Sequence, residues 1–249
     1  METNLRQPLD MNARTITHSN PAHKKNSSNS WLNHNPREAA DKENGFLLSA
    51  ENAEVLRKIF RAIRDAPESV YSPSDDSFLM LDAIAKVPVE GREVLDVGTG
   101  SGILGLFCAM RGATVTLTDI DEAALKHAKK AAGLLGLGVQ TILSDMFSKV
   151  QGQFDLVLFN PPYLPSSSVD DRTVDGGRQG TELSKRFLAG LSTHLRSSGT
   201  TLLLASSLND PSSFLTGHPE FQYSVIAKRP LFFEELRVLC VRFRENLAR

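Results

Sequence analysis

The chain reads as an α/β protein: a doubly wound, mostly parallel sheet with helices on both faces and an antiparallel strand pair at one edge. Three observations predict this. From Glu93 onward, short β-rich apolar runs alternate with helix-length segments, the pattern of strand–helix–strand units. The first such run ends in a glycine-rich turn that opens a helix, Asp96-Val97-Gly98-Thr99-Gly100-Ser101-Gly102. The last two strand-like runs, Phe221–Ala227 and Leu236–Phe243, have no helix between them and fit a hairpin at the sheet edge.

The elements follow in order. Residues 1–45 stand apart: Met11 to Pro36 contains no Asp or Glu, is rich in Asn, Ser and His, and shows no apolar periodicity. Such a stretch cannot bury enough surface to offset its ordering entropy, so a disordered polar tail is expected. With only Arg6 and Arg14, it lacks the Arg-rich amphipathic helix of a transit peptide. His18, His23 and His34 read as solvated tail residues rather than metal ligands. Residues 46–68 form a helical extension: Val55, Leu56, Ile59, Phe60 and Ile63 recur at helical spacing, Ser49 is placed to cap, and Pro67 follows. Residues 69–249 form the α/β domain. A short helix covers Asp76–Ile84. Strands then fall at Glu93–Val97, Ala113–Thr118, Val139–Leu143, Phe154–Phe159 and Thr200–Ala205. Helices reach Met110, span Glu122–Leu135 and span Leu183–Leu195.

Composition narrows the function. The chain has 249 residues and 41% apolar content, enough for one sizeable core. Its 28 Lys+Arg nearly balance 29 Asp+Glu, without the basic excess of a protein that grips nucleic acid. Cys108 and Cys240 sit inside apolar runs, have no partner at metal-ligand spacing, and read as buried thiols of a reducing compartment. No apolar run approaches the ~20 residues that span a bilayer. A soluble cytoplasmic protein without a metal site is expected.

The glycine turn carries the first functional signal. Gly98, Gly100 and Gly102 let the backbone approach a ligand at a helix N-terminus. Gly100 to Gly105 also fits the dinucleotide pattern, which on its own leaves a dehydrogenase, or a plain tight turn, open. Two details favour S-adenosylmethionine. Asp96, before the first glycine, is placed to face the ammonium of a methionine moiety, a cation that a dinucleotide lacks. Asp119, at the end of the second strand, can accept from both ribose hydroxyls while Asp121 caps the next helix. Asp145 is placed to accept from the adenine amino group, with Met146 and Phe147 flanking the ring.

Asn160-Pro161-Pro162-Tyr163 follows the fourth strand, where open α/β sheets place their ligands. As Asn-Pro-Pro it is also a turn sequence. After an apolar strand, in a chain that already carries an acid–glycine loop, it points to methyl transfer onto a planar nitrogen. Such a nitrogen shares its lone pair with a π-system and is a poor nucleophile. The Asn160 side-chain oxygen and the Pro161 carbonyl can accept its two N–H hydrogens, which holds the lone pair toward the methyl donor. Pro161 and Pro162 fix the backbone, and Tyr163 can lie against the planar group.

The segment Val70-Tyr71-Ser72-Pro73-Ser74-Asp75-Asp76-Ser77-Phe78-Leu79, the acid–glycine loop, Asn160–Tyr163 and Asp175-Gly176-Gly177-Arg178-Gln179-Gly180 occur in that order. Together they resemble the HemK-like glutamine methyltransferases, archaeal–eukaryotic branch, which modify the Gly-Gly-Gln loop of class 1 release factors. The resemblance covers Ser69 to Phe243. It implies a class I methyltransferase, Rossmann-like fold with strand order 3-2-1-4-5-7-6. It also implies cofactor contacts at Ser77, Asp96, Gly98, Asp119, Asp145 and Asn160, and a substrate side lined by Tyr71, Gly176, Gly177 and Arg178. A small zinc-binding activator protein at the sheet edge beside the third strand is implied as a partner. The sequence departs from the family in Asp75, where Glu is commoner, and in the long stretch that precedes the match. An adenine N6 or guanine N2 methyltransferase acting on nucleic acid is the alternative, since the same loop serves those amines. A lysine-directed enzyme gains less from a planar clamp, and a non-catalytic cofactor-binding scaffold has no need of Asn160. A dehydrogenase fails for want of hydride-site residues.

Overall fold

The computed structural model describes residues 49–163, 180–209 and 212–244. The expected tail over residues 1–45, with its histidines, and the loop carrying Gly176, Gly177 and Arg178 lie outside these residues.

α1 (Ala50–Ala62) begins where the Ser49 hydroxyl accepts from the Asn52 amide at 3.2 Å, with Glu51 in the first turn. Its Leu56 and Ile59 bury their side chains, and it packs on α3 (Ile103–Met110) and α4 (Glu122–Leu134). α2 (Asp75–Ala85) buries seven of its side chains, including Asp76 and Ser77 near its start. Fully buried residues of the Leu81, Ile84 and Phe107 type stabilise the fold by roughly 1.5–3 kcal/mol each.

The strands are β1 (Glu93–Val97), β2 (Thr114–Asp119), β3 (Val139–Leu143), β4 (Phe154–Phe159), β5 (Leu195–Ser206), β6 (Phe221–Pro230) and β7 (Glu235–Phe243). They form one seven-stranded sheet in the order β3-β2-β1-β4-β5-β7-β6, as expected. β1 to β5 pair in parallel, and β7 lies antiparallel between β5 and β6. Strand alternation divides the core in two. Val94, Leu156, Leu158, Leu202 and Leu204 face the α1–α4 layer. Leu95, Val97, Val157, Phe159 and Leu203 face α5 (Glu182–His194) and α6 (Ser212–Leu215).

β5 begins directly at the end of α5, several residues ahead of the expected Thr200. Its polar start reads as a turn in sequence. It is held by Arg196, which donates to Asp155 at 2.5 Å and to Glu93 at 2.9 Å across the sheet. The short α6 was not expected, having a single turn and no periodicity. Cys108 and Cys240 are free and buried. Among the described residues, no helix is long and apolar enough to cross a membrane, and no cluster of His, Cys, Asp and Glu could hold a metal.

Candidate active site

β1 has β2 on one side and β4 on the other, so the strand order reverses between β1 and β4. Open α/β sheets bind ligands beyond the carboxyl ends of their strands at such a point. The glycine turn leaves β1 there. Gly98, Gly100 and Gly102 have φ of 63°, 51° and 86°, the left-handed region that glycine alone occupies at little cost. Gly105 is required for a different reason: a Cβ there would lie 2.2 Å from Leu117 Cδ2, so α3 could not settle on β2.

Asp96 shares the strand face of Val94 and points into the α3 layer. It is 1% exposed, and its Oδ2 accepts from Thr99 Oγ1 at 2.6 Å and from the Gly105 amide at 3.0 Å. Burial pushes its carboxyl up to about 7 against the pull of those two hydrogen bonds, and the nearby Asp119 charge adds to the rise. Asp96 therefore braces the glycine turn from beneath.

Asp119 ends β2 on the same rim. Its Oδ2 accepts from the Gly100 amide at 2.8 Å and its Oδ1 from the Asp121 amide at 2.9 Å. Burial raises its pKa, and those backbone hydrogen bonds lower it. Asp121 caps α4 by accepting from the Ala123 amide, as expected. Asp145, half-exposed just past β3, pairs with Arg186 at 2.8 Å. Met146 follows with φ of 49°, the one positive value among the described non-glycine residues. That turn sends Phe147 into the core, stacked on His194 at 4.6 Å, rather than beside Asp145. Of the pair expected to flank an adenine ring, Met146 is partly exposed and Phe147 is buried.

Asn160 follows β4 on this rim, and its surroundings are built by the start of α2. Its Nδ2 donates to Asp76 Oδ2 at 3.2 Å, while its Oδ1 is buried without a partner. Asp76 Oδ2 also accepts from the Tyr71 hydroxyl at 2.7 Å, and Oδ1 accepts from the Ser77 amide at 2.5 Å and hydroxyl at 3.1 Å. A carboxylate offers only acceptors, so the amide of Asn160 must turn its NH2 toward Asp76, which leaves its oxygen without a donor. A buried acceptor without a donor costs roughly 1–3 kcal/mol.

A family model, the methyltransferase small domain, matches residues 70–229, which include every part of this rim. The chain belongs to this methyltransferase family. A protein of Methanocaldococcus jannaschii named as a protein N5-glutamine methyltransferase is 36% identical over 180 residues, covering 68% of this chain and 90% of its own. The release factor glutamine methyltransferase of Deinococcus radiodurans is 33% identical over 166 residues, 61% of this chain and 59% of that protein. Among solved structures, the E. cuniculi Mtq2–Trm112 complex, responsible for methylation of the eRF1 translation termination factor, shares the fold. The TM-score is 0.59 at 24% identity, covering 71% of this chain and 99% of that one. The enzyme is S-adenosylmethionine-dependent.

The rim suits that cofactor. A Cβ added at Gly98 would meet only Phe159, and one at Gly100 only Tyr71, each at ordinary van der Waals distance. Partly exposed carboxylates stand at the ends of β2 and β3, and the Asn160 oxygen is unfilled. A cavity of about 250 Å³ lies at the opposite, amino-terminal ends of the strands, lined by Glu93, Thr114, Gln140 and Phe154, and is not part of this site.

Several expected residues of the methyltransferase sit differently. Ser77, expected at the cofactor, is buried and bonded to Asp76. Tyr71, expected on the substrate side, ties the glycine turn to Asp76, its Cβ lying 3.6 Å from the Cβ position of Gly100. Pro161 is buried, while Pro162 and Tyr163 are half-exposed. Sequence reasoning missed two supports. Asp76, 4% exposed, reads in sequence as one more acid at a helix start. Asn209 donates through Nδ2 to the Tyr163 carbonyl at 2.6 Å and to the Gly180 carbonyl at 3.1 Å. Gly180, at φ of 67°, leaves no room for a Cβ, which would lie 2.4 Å from the Tyr163 carbonyl oxygen. No local pattern in the sequence announces that pairing.

Proposed function

We propose that this methyltransferase transfers a methyl group to the side-chain amide nitrogen of glutamine in the Gly-Gly-Gln motif of a class 1 translation termination factor. The observation that carries this reading is the unpartnered Asn160 Oδ1 at the end of β4, its amide oriented by the Asn160–Asp76 hydrogen bond. The names of the relatives from M. jannaschii and D. radiodurans support it.

The chemistry follows from the residues. When bound, S-adenosylmethionine supplies an electrophilic methyl on a sulfonium. Asp119 and Asp145 would hold its ribose and adenine, Met146 would lie against the ring, and Gly98, Gly100 and Gly102 would admit the methionine end. Asn160 Oδ1 and the Pro161 carbonyl would accept the two N–H hydrogens of the substrate amide. That pair draws the nitrogen away from planarity and aims its lone pair, so the clamp is tightest in the transition state. S-adenosylmethionine would supply the methyl to that nitrogen and leave as the thioether, and the methylated amide would give up one N–H proton to water. Tyr163 lies beside the planar group. Burial, with the charges of Asp76, Glu234 and Asp75, holds its phenol well above the usual range, so it stays neutral.

The enzyme acts in the cytoplasm, where termination factors are found. A small zinc-binding activator protein pairs with β3, which is an edge strand and exposes Leu143, with Ile120 exposed on the neighbouring loop. The test is mass spectrometry of termination factors from cells with and without this chain. One added methyl on the Gly-Gly-Gln glutamine, present only with the chain, is the expected result. A methylated adenine or guanine amine with an unmodified glutamine would favour the nucleic-acid reading instead.

A further inference from the structure

The β6–β7 hairpin ends in a turn that local chemistry does not explain. Pro230 pairs with Glu235, and the Leu231 amide donates to the Glu234 carbonyl at 2.7 Å, which leaves Phe232 and Phe233 at the tip. Tight hairpin tips favour Asn and Gly, whose positive φ matches the strand twist. Here both tip residues are phenylalanine, and neither has positive φ. They are 92% and 70% exposed and touch each other edge to face at 4.6 Å. Two aromatic rings held in water at a position that prefers small polar residues cost solubility and turn energy. Departures of this kind from local preference cluster at functional sites.

The tip stands at the catalytic end of the sheet. β7 starts against the carboxyl end of β5, with Leu236 opposite Ser206, and β5 is the direct neighbour of β4, which delivers Asn160. Glu234, beside the tip, accepts from the Ser206 hydroxyl at 2.5 Å, and its charge reaches Tyr163. Leu231, on the other side, packs on the same apolar cluster as Tyr163. The two rings therefore stand at the end of the sheet that carries Asn160. They lie on the opposite half of the sheet from β3.

We propose that Phe232 and Phe233 form an anchor that docks into an apolar recess on the folded protein substrate while its glutamine enters the Asn160 clamp. The inference rests on the protein-substrate reading above. A single glutamine amide offers little binding surface. Exposed aromatic pairs beside a cleft supply area at low entropy cost and act as anchors in protein interfaces.

The test compares Phe232→Ser/Phe233→Ser with Phe232→Leu/Phe233→Leu in the full chain. Both are surface changes that leave the core and clamp untouched. Each variant is assayed with an intact Gly-Gly-Gln termination factor and with a short peptide carrying the same motif. For the serine variant, KM for the intact factor is expected to rise ~10-fold or more, the loss typical of removing interface anchors. The expected kcat, peptide kinetics and cofactor affinity are those of the wild type, and the leucine variant recovers most of the affinity. Unchanged KM for the intact factor in the serine variant overturns the proposal. An equal loss on factor and peptide also overturns it, because the tip then only supports the clamp. Sedimentation showing that wild type self-associates through these rings, with factor kinetics unaffected, assigns them to a second copy of the chain. Wild type that methylates neither substrate removes the protein-substrate reading, and this inference with it.

Discussion

Replacing Asp76 by Asn tests the clamp more sharply than replacing Asn160 itself. The two side chains have the same shape, so packing of the buried α2 start is preserved. Asp76 accepts from Tyr71 and Asn160 on one oxygen and from Ser77 twice on the other. An asparagine must present an NH2 to one of these pairs. Hydrogen bonds to a charged group contribute about 1.5–3 kcal/mol each, so losing two lowers stability by about 3 kcal/mol or more unless partners rotate. If the NH2 faces Asn160, that amide can turn over and offer its own oxygen inward. The acceptor aimed at the substrate then becomes a donor. Turnover should fall by ~100-fold, as for loss of one preorganised transition-state contact, with cofactor affinity nearly unchanged. Burial pushes the Asp76 carboxyl upward against its hydrogen bonds, so the ionised, clamp-competent form is lost on acidification above the ordinary carboxylate range. The acid limb of the kcat–pH profile should vanish in Asp76→Asn. Single-turnover assays across pH decide. An Asp76→Asn enzyme with near wild-type turnover and an unchanged acid limb would refute the reasoning.

Three further outcomes follow. Asn160→Ala should leave cofactor binding intact and lower turnover at least ~100-fold; full activity at saturating protein substrate would reduce the motif to a turn. Asp119→Ala removes the acceptor for the Gly100 amide and for the ribose, and calorimetry should show cofactor affinity weakened by roughly 1.5–3 kcal/mol. Asp96 has a folded pKa raised to about 7, so its stabilising contribution is complete below its ordinary pKa and is lost as pH rises through about 7. The ligand-free protein should therefore melt lower at pH 8 than at pH 6. Cofactor affinity should rise over the same interval as the ionised carboxylate meets the cationic methionine end. An affinity flat from pH 6 to 8 would show that Asp96 acts only on the turn.

The sheet was legible because β1, β2 and β4 carry dense β-branched and apolar runs, and the glycine turn marks where the order reverses. The start of β5 was not, because Arg196, Ser197 and Ser198 look like a loop until Arg196 finds Asp155 and Glu93 across the sheet. Asp119, Asp145 and Asn160 could be placed from sequence because each ends or follows a strand at the carboxyl rim of the sheet. The burial of Asp96, Ser77 and Phe147 is not legible in the same way, because a strand or helix residue's environment depends on the layer it faces. Asp96 falls on the α3 face by alternation, and Phe147 is turned inward by the positive φ of Met146. Asp76 and Asn209 act through partners distant in sequence, Asn160 and Tyr163, which no local pattern specifies.

The placement of β7 between β5 and β6 has a consequence for how the molecule is made. The ribosome delivers β5 first, then β6, then β7, yet β6 can join the sheet only through β7. Until β7 emerges, β5 presents a long open edge, and both apolar layers lack Leu236, Val238, Leu239 and Val241. Vectorial synthesis therefore passes through a nascent intermediate with an unprotected strand and two incomplete cores, the kind of species that aggregates or recruits chaperones. Mutations that weaken β7 should reduce the yield of folded protein in cells before they reduce the activity of the molecules that do fold.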